Sequence, residues 1–188
     1  MIRTKNDLKA VLKMERKLYL GNGSGTRIKL SLLQDHDYLL WKYVRLLRYT
    51  EYHFNCGHKL RYWVYQRKKN ILGAKLGVTL WKNVVDKGLR IWHYGCIIIN
   101  ANAKIGKNCQ LHGDNCIGNK GDVDEAAPTL GDNIDVGVGA KIIGNVYIAD
   151  NIKIGANAVV TKSCYEKGAV LVGVPAHILR RKSKGNTE

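Results

Sequence analysis

An aliphatic side chain at every sixth position from residue 99 onward constrains the fold of this chain more than any other feature. A short interruption separates the first four of these anchor residues from the last six: Ile99, Ile105, Leu111, Ile117, Leu130, Val136, Ile142, Ile148, Ile154 and Val160. Neither the helical period of about 3.6 residues nor the strand period of 2 explains this spacing. One hexad makes a short strand and a corner, so three hexads close a triangular coil of about 18 residues. Such coils are stable only when they stack.

The first 75 residues follow a helical pattern instead. Thr4 and Asp7 have the spacing of a capping box, with Asp in the position usually held by Glu or Gln. The segment Gly-Asn-Gly-Ser-Gly (21–25) ends this first helix, and we interpret it as a flexible linker. A phosphate-binding loop is the alternative, but such a loop needs a lysine that this segment lacks. Further helices are predicted over residues 35–53 and 60–72.

The positive charge of the chain is concentrated in this helical half. The net formal charge is +16, and residues 1–90 contain 20 Lys and Arg against 6 Asp and Glu. Such a surface attracts nucleic acid, acidic lipid headgroups or substrates that carry phosphate. We interpret the helical aromatic residues as core and the basic residues, including Arg48, as a solvated face; RNA binding is the alternative.

The five cysteines contain no C-x-x-C pair. Three of them lie at apolar or repeat positions, where a reduced thiol packs as a small hydrophobic group. The N-terminus shows no signal peptide, and no apolar run reaches the roughly 18 residues that a membrane span requires. We therefore expect a cytoplasmic protein.

His93 occupies the position six residues before Ile99, where the pattern predicts an aliphatic anchor. A core histidine bonded to backbone groups is one interpretation. The flanking Trp92 and Tyr94 favour the other, a histidine on the wall of a groove. If coils repeat every 18 residues, residue 93 stacks beneath Leu111 and the outward-facing His112 lies near the same edge.

The interruption at 119–129 is predicted to leave the prism as a loop near the His93 edge. It contains Asp122, Asp124 and Glu125. A carboxylate from this loop, or from Asp114, is a candidate for orienting His93.

Three segments carry a resemblance to a known family. They are LRIWHYGCIIINANAKIGKNCQLHGDNCIGNKG, GAKIIGNVYIADNIKIGANAVVTKS and GVPAHI. They resemble the left-handed parallel β-helix acyltransferases, in particular the serine O-acetyltransferase branch and, more closely, the shorter relatives from capsule and exopolysaccharide gene clusters. The resemblance implies a mainly β fold, a left-handed parallel β-helix with an N-terminal α-helical region. The expected domains are a basic helical region (1–75), a β-helix (76–179) and a basic tail (180–188).

The resemblance implies an enzyme that transfers an acetyl group from acetyl-CoA to a hydroxyl. His93 matches the general base of the family's D-H-x-x-G segment, although Trp92 replaces the aspartate. Ala127 stands where the family has a second histidine. These departures favour a sugar hydroxyl over L-serine as the acceptor. The predicted function is therefore O-acetylation of a sugar or glycan intermediate in bacterial surface polysaccharide assembly.

The position of His112 near the same edge makes it a second catalytic candidate, with a plain exposed residue as the alternative. Trp92, Tyr94 and Asp114, which lie close to the two histidines in the sequence, are candidates for binding the acceptor. The resemblance supplies the remaining candidates. Candidates for binding acetyl-CoA are Val138, Ala140, Ala156, Thr161, Lys162, Arg180 and Arg181. No metal is expected, because His93 and His112 lack the third histidine of a zinc site.

The expected assembly is a homotrimer with active sites between subunits, with the basic helices associated with the inner face of the membrane and no nucleic acid bound. Two alternatives stay open. One is a serine O-acetyltransferase, and the other is a non-catalytic trimeric scaffold or nucleic-acid-binding protein.

Overall fold

The computed structural model describes residues 1–121 and 125–180 and, for residues 24–27, the backbone alone. In this part of the chain four helices come first: α1 (Lys5–Leu20), α2 (Ser24–Leu32), α3 (His36–Asn55) and α4 (Lys59–Leu76). The strands that follow are β1 (Val78–Thr79), β2 (Arg90–Ile91), β3 (Ile97–Ile99), β4 (Lys104–Ile105), β5 (Gln110–Leu111), β6 (Cys116–Gly118), β7 (Thr129–Leu130), β8 (Asp135–Val136), β9 (Lys141–Ile143), β10 (Tyr147–Ile148), β11 (Lys153–Ile154), β12 (Val159–Val160), β13 (Val170–Val172) and β14 (His177–Ile178).

The strands form three sheets, one on each face of a prism. Sheet I has the order β1-β3-β6-β9-β12, sheet II the order β4-β7-β10, and sheet III the order β2-β5-β8-β11-β13-β14. All neighbouring strands are parallel except β13 and β14. This is the predicted left-handed β-helix, and the match to solved structures described below confirms it.

The ten predicted anchors all point into the prism and are buried, which confirms the hexad interpretation. Asparagine occupies several of the tight corners with a positive φ, as at Asn133 and Asn151. This residue tolerates the left-handed conformation better than most. The Asn133 amide donates to Asn151 Oδ1 at 2.9 Å, so successive corners are also joined through their side chains.

Two edges of the prism matter for the site. The His93 corner joins sheet III to sheet I, and the loop corner joins sheet I to sheet II. The His93 corner comprises residues 92–96, 112–115, 137–140 and 155–158. The loop corner comprises 100–103, 119–121, 125–128, 144–146 and 161–163. The interruption leaves at the loop corner, and the prediction that it leaves near the His93 edge is wrong. Residues 116–118 of β6 cross one whole face between the two corners.

The helical region follows the sequence pattern in part. Thr4 caps α1 with the predicted capping box, since its hydroxyl accepts from Asp7 N and the Asp7 carboxylate accepts from Thr4 N. The linker interpretation of residues 21–25 is wrong for its second half, because α2 begins at Ser24. α4 extends to Leu76, beyond the predicted end at residue 72.

Arg48 does not lie on a solvated face, as the sequence pattern predicted; it is buried at the junction of the helices and the first coil. Its guanidinium donates to Glu15 at 2.8 Å, to Glu51 at 2.9 Å, and to the backbone carbonyls of Val85 and Asp86. The ion pairs to the two carboxylates hold the pKa of Arg48 above its usual range, against the effect of burial. This cluster joins α1 and α3 to the chain segment that leads into β2.

The aromatic residues of α4 are not all core. Trp63 is 67% exposed, which contradicts its prediction as a core residue, and Leu60 is 78% exposed. α3 provides most of the helical core instead, through Leu40, Tyr43 and Leu47. Among the described residues, no helix has both the length and the apolar character needed to cross a bilayer.

Candidate active site

His93 lies outside the core, on the His93 corner. β2 pairs with β5 so that Ile91 lies beside Leu111, twenty positions on, whereas Val136 and Ile154 in later coils are eighteen apart. The first coil is therefore two residues longer than the regular repeat. Ile91 is the buried anchor, and His93 is exposed. The prediction that residue 93 stacks beneath Leu111 is wrong; His93 lies against Gly113.

Trp92, and not His93, is the neighbour of His112 on the preceding coil. The sequence pattern predicts His93 near this position. The indole stacks on the His112 ring, with 5.6 Å between ring centroids and 16° between planes. Its Nε1 donates to Gln110 Oε1 at 3.0 Å. His112 Nε2 lies 2.8 Å from Asp135 Oδ1, so a carboxylate orients His112. His93 and His112 thus lie on adjacent coils of one corner, and Trp92 covers one face of the His112 ring.

The N-terminus of α3 covers the other side of His93. Asp35 caps this helix, its carboxylate accepting from Asp37 N at 3.0 Å. The first helical residue, His36, places its ring 5.3 Å from the His93 ring and 5.0 Å from the Tyr94 ring. Sequence reasoning missed His36, because the Gln-Asp-His-Asp segment reads only as a helix start. A helical residue therefore contributes to the site.

Arg90 and Asp37 form an ion pair beside this contact. Arg90 Nη2 donates to Asp37 Oδ1 at 2.9 Å, and the guanidinium lies between the rings of Tyr19 and Trp92, at 4.4 and 4.6 Å from their centroids. Tyr19 is itself fixed, since its hydroxyl accepts from Ile91 N and donates to Leu89 O. Burial raises the pKa of Tyr19 well above its usual value, so the phenol stays neutral.

The carboxylates predicted to orient His93 lie elsewhere or outside the described residues. Asp114 is 3.3 Å from Lys141 Nζ and is largely exposed. Glu125 lies at the loop corner, where its carbonyl accepts from the Asn102 amide. Asp122 and Asp124 are outside the described residues.

The candidates for binding acetyl-CoA divide between the two corners. Val138 and Ala156 are exposed on the His93 corner, on successive coils beyond Gly113, whereas the Ala140 side chain is buried beneath them. Thr161 and Lys162 are exposed at the loop corner. A strip of small and apolar residues with exposed backbone therefore extends from His93 along one edge, which suits a long, narrow ligand such as the pantetheine arm.

The two C-terminal arginines add little to this edge. Arg180 donates from both terminal nitrogens to the Glu166 carboxylate, at 2.8 and 2.9 Å. Arg181 lies outside the described residues.

The thiols of all five cysteines are free. Burial raises the pKa of Cys109 to about 12, which keeps this thiol protonated. Within residues 1–121 and 125–180, no three His, Cys, Asp or Glu side chains converge as a metal ion would require.

The fold and the corner define the class of protein: a hexapeptide-repeat β-helix with an exposed histidine at one edge. No protein-family profile matches the chain. Its sequence is 32% identical to a serine acetyltransferase of Mycobacterium tuberculosis over 142 residues, 70% of this chain and 61% of that protein. It is 28% identical to a serine acetyltransferase of Synechococcus elongatus over 146 residues, 72% of this chain and 59% of that protein. The chain thus spans about three fifths of the length of these curated relatives.

Solved structures agree on the fold. The soybean serine acetyltransferase apoenzyme superposes with a TM-score of 0.74 over 92% of this chain and 69% of that chain, at 21% identity. The Brucella abortus serine acetyltransferase in complex with coenzyme A superposes with a TM-score of 0.75 over 95% and 70%, at 20% identity. Sequence and structure together support the hexapeptide-repeat acyltransferase superfamily.

These relatives correct the predicted acceptor. The sugar hydroxyl of surface polysaccharide assembly is wrong as the main interpretation, because the curated relatives are serine acetyltransferases. The prediction of a sugar acceptor rested on Trp92 and Ala127, which replace two residues of the family. The matches favour the alternative function, a serine O-acetyltransferase.

Proposed function

We propose that the chain is an acetyl-CoA-dependent O-acetyltransferase whose acceptor is the hydroxyl of L-serine. One observation carries this proposal: His93 is exposed at the same corner as Val138 and Ala156, so a base and a strip for the acetyl donor share one edge of the prism. The serine acetyltransferases among its relatives support the choice of acceptor.

His93 is the general base of the proposed reaction. A neutral imidazole accepts the proton of the acceptor hydroxyl as its oxygen forms a bond to the acetyl carbonyl carbon. The bond from that carbon to sulfur then breaks, and His93 returns the proton to the departing thiolate. Acetyl-CoA supplies the activated acetyl group. Trp92 and Tyr94 flank the acceptor, and His112, held by Asp135, faces the developing charge.

Acetyl-CoA is proposed to lie along the His93 corner. Val138 and Ala156 present small surfaces and backbone groups to the pantetheine arm, and Ala140 keeps this edge narrow. Thr161 and Lys162 extend the site toward the loop corner. Arg180 and Arg181 are proposed to meet the phosphates, with Arg180 exchanging Glu166 for a phosphate that its forked donors match equally well.

A homotrimer with active sites between subunits is the proposed assembly. The outward surface of sheet I supports it, because Ile98 is 49% exposed and Ile143 and Val159 lie on the same face. Sedimentation velocity of the wild type and of Ile98→Asp tests this arrangement. Identical sedimentation of the two proteins as monomers would overturn it.

Helix α4 is proposed to bind an acidic membrane surface. Its 18 residues include six Lys and Arg and no Asp or Glu, and the exposed Leu60, Trp63 and Val64 lie at helical spacing. Exposed aliphatic and aromatic groups flanked by cations suit an anionic interface. A second α4 would repel this one, which disfavours self-association through this face. We expect the protein to bind vesicles that contain phosphatidylserine and not vesicles that lack it, and we expect Trp63→Ser to lose this binding. Equal binding to vesicles with and without phosphatidylserine contradicts the proposal.

The acetyltransferase itself is tested by incubating the purified chain with acetyl-CoA and L-serine. We expect release of a free thiol that depends on L-serine, with O-acetylserine identified by mass spectrometry. Thiol release that does not depend on an acceptor, or no release together with salt-sensitive RNA binding, would overturn the proposal.

A further inference from the structure

Three buried side-chain N or O atoms in the described part of the chain have no hydrogen-bond partner, and two of them belong to neighbouring groups of the candidate site. These two are Nε2 of His36, whose ring contacts His93, and Nη1 of Arg90, which pairs with the adjacent Asp37. Buried polar atoms in folded proteins are nearly always bonded to protein or to ordered water. Two unpartnered nitrogens in adjacent side chains indicate that a ligand completes the site.

One carboxylate oxygen lies beside both side chains. Arg90 Nη2 donates to Asp37 Oδ1 at 2.9 Å, and His36 Nδ1 is 3.7 Å from the same atom, too far for a hydrogen bond. Asp37 therefore engages Arg90 through Nη2 and leaves Arg90 Nη1 and His36 Nε2 for another partner. The residue Arg90 is only 9% exposed, and its guanidinium lies against the rings of Tyr19 and Trp92.

The position relative to the base decides which ligand meets these donors. His36 contacts the His93 ring directly, at 5.3 Å between centroids. The group nearest the base during acetyl transfer is the acceptor, because the phosphates of acetyl-CoA lie a pantetheine arm away from the reacting thioester. The ligand of His36 and Arg90 is therefore part of the acceptor.

The donor chemistry indicates which part. Arg presents paired N–H donors that match a carboxylate, and a protonated imidazole donates from both of its nitrogens. His36 at the start of α3 and Arg90 on β2 place such nitrogens beside the His93 corner.

We propose that His36 and Arg90, positioned by Asp37, bind the carboxylate of the amino-acid acceptor beside His93. This inference rests on the proposed function and assigns the acceptor site to the helical region as well as to the β-helix.

The test compares L-serine with L-serinamide, which keeps the hydroxyl and the amine but replaces the carboxylate. His36→Phe keeps a ring against His93 and removes both nitrogens, and Arg90→Lys keeps the charge but has one terminal nitrogen. We expect each variant to lower the ratio of kcat/KM for L-serine to kcat/KM for L-serinamide by about 10- to 100-fold, the effect of losing a hydrogen bond to a charged group. The KM for acetyl-CoA should not change.

His58→Phe and Arg61→Lys are the matched controls, since both residues are exposed on the helical region away from the site. They should keep the wild-type ratio. General damage to the fold lowers both rates and leaves the ratio unchanged. The inference is overturned if the L-serine to L-serinamide ratio is unchanged in both His36→Phe and Arg90→Lys, or if only the KM for acetyl-CoA changes. Water alone would then be the partner of His36 Nε2 and Arg90 Nη1.

Calorimetry of L-serine binding in the presence of CoA separates this inference from the proposed function. Binding weakened by both variants, without any acetyl transfer by the wild type, would support the carboxylate site and overturn the acetyltransferase. Acetyl transfer with equally tight L-serine binding in all proteins would overturn the carboxylate site alone.

Discussion

The indole of Trp92 stacks on the imidazole of His112, and His93 lies two residues beyond the position that an 18-residue repeat assigns to it. The ring centroids are 5.6 Å apart and the planes nearly parallel. Because Trp92 covers His112, His93 lies on Gly113 and faces the N-terminus of α3. The site is thus formed by two parts of the chain.

Removal of the His93 imidazole should abolish most of the activity without unfolding the protein. General-base catalysis contributes about 10²–10⁴-fold, so kcat of His93→Ala should fall by that factor. His93 is exposed, and the thermal midpoint should stay close to that of the wild type. His58→Ala is the control for histidine loss in general. Steady-state thiol release measures kcat for His93→Ala and for His58→Ala. A kcat of His93→Ala within about threefold of wild type would contradict the role of His93 as general base.

Substitution of Gly113 should lower activity through His93. Gly113 has φ +111°, and an added Cβ would lie 3.4 Å from the His93 Cβ. Gly168 also has a positive φ, +75°, but an added Cβ there meets nothing within 4 Å. Both Gly→Ala variants should lose about 1–2 kcal/mol of unfolding free energy from backbone strain. Only Gly113→Ala should also lose about 10-fold in kcat, because relief of the strain at this φ moves the backbone against which His93 packs, and small displacements of a reacting group are costly. Equal kcat values in the two variants would show that this contact does not position His93.

Loss of the Glu15 charge should strongly destabilise the junction of helices and β-helix. The Glu15 carboxylate accepts from Arg48 and from the backbone N–H groups of Gly88 and Leu89, and it is fully buried. Removing one partner of a buried ion pair costs about 3–5 kcal/mol, so urea denaturation of Glu15→Gln should show a decrease of that size. Lys107, about half exposed and 3.7 Å from Asp132, is the control. Lys107→Gln should change the unfolding free energy by less than about 1 kcal/mol. A similar small change in Glu15→Gln would contradict the role of the cluster.

The stability of the protein should rise with pH through Lys69. Burial lowers the pKa of this amine to about 8 in the folded chain, against its usual value of 10.5. Its Nζ donates to Leu80 O. Between these two pH values the unfolded chain binds the additional proton, so increasing pH favours the folded state. Relative to Lys69→Met, the wild type should gain about 2 kcal/mol between pH 8 and 10.5, after allowance for solvent screening. If the urea midpoints of the wild type and of Lys69→Met changed equally with pH between 8 and 10.5, the expectation would be refuted.

The anchors and the helix start could be predicted from the sequence because each depends on neighbours in the chain. The spacing of Ile99, Leu111 and Val136 follows from how a coil closes, and the capping box at Thr4 and Asp7 is formed within one helical turn. The helix α2 and the burial of Arg48 could not be predicted in this way. A short polar helix carries a weak periodic signal, and an arginine is buried only where distant carboxylates meet it.

The sequence by itself determined a stack of three-sided coils with an out-of-pattern histidine at the first of them, since a six-residue period has only one compact solution. Only the tertiary structure decided what surrounds that histidine. The two additional residues of the first coil turn Ile91 inward and His93 outward. The packing of α3 then places His36 and Asp37 against His93 and Arg90, residues more than fifty positions away. Contacts at that separation depend on how helices dock on the prism, and no local pattern in the chain encodes them.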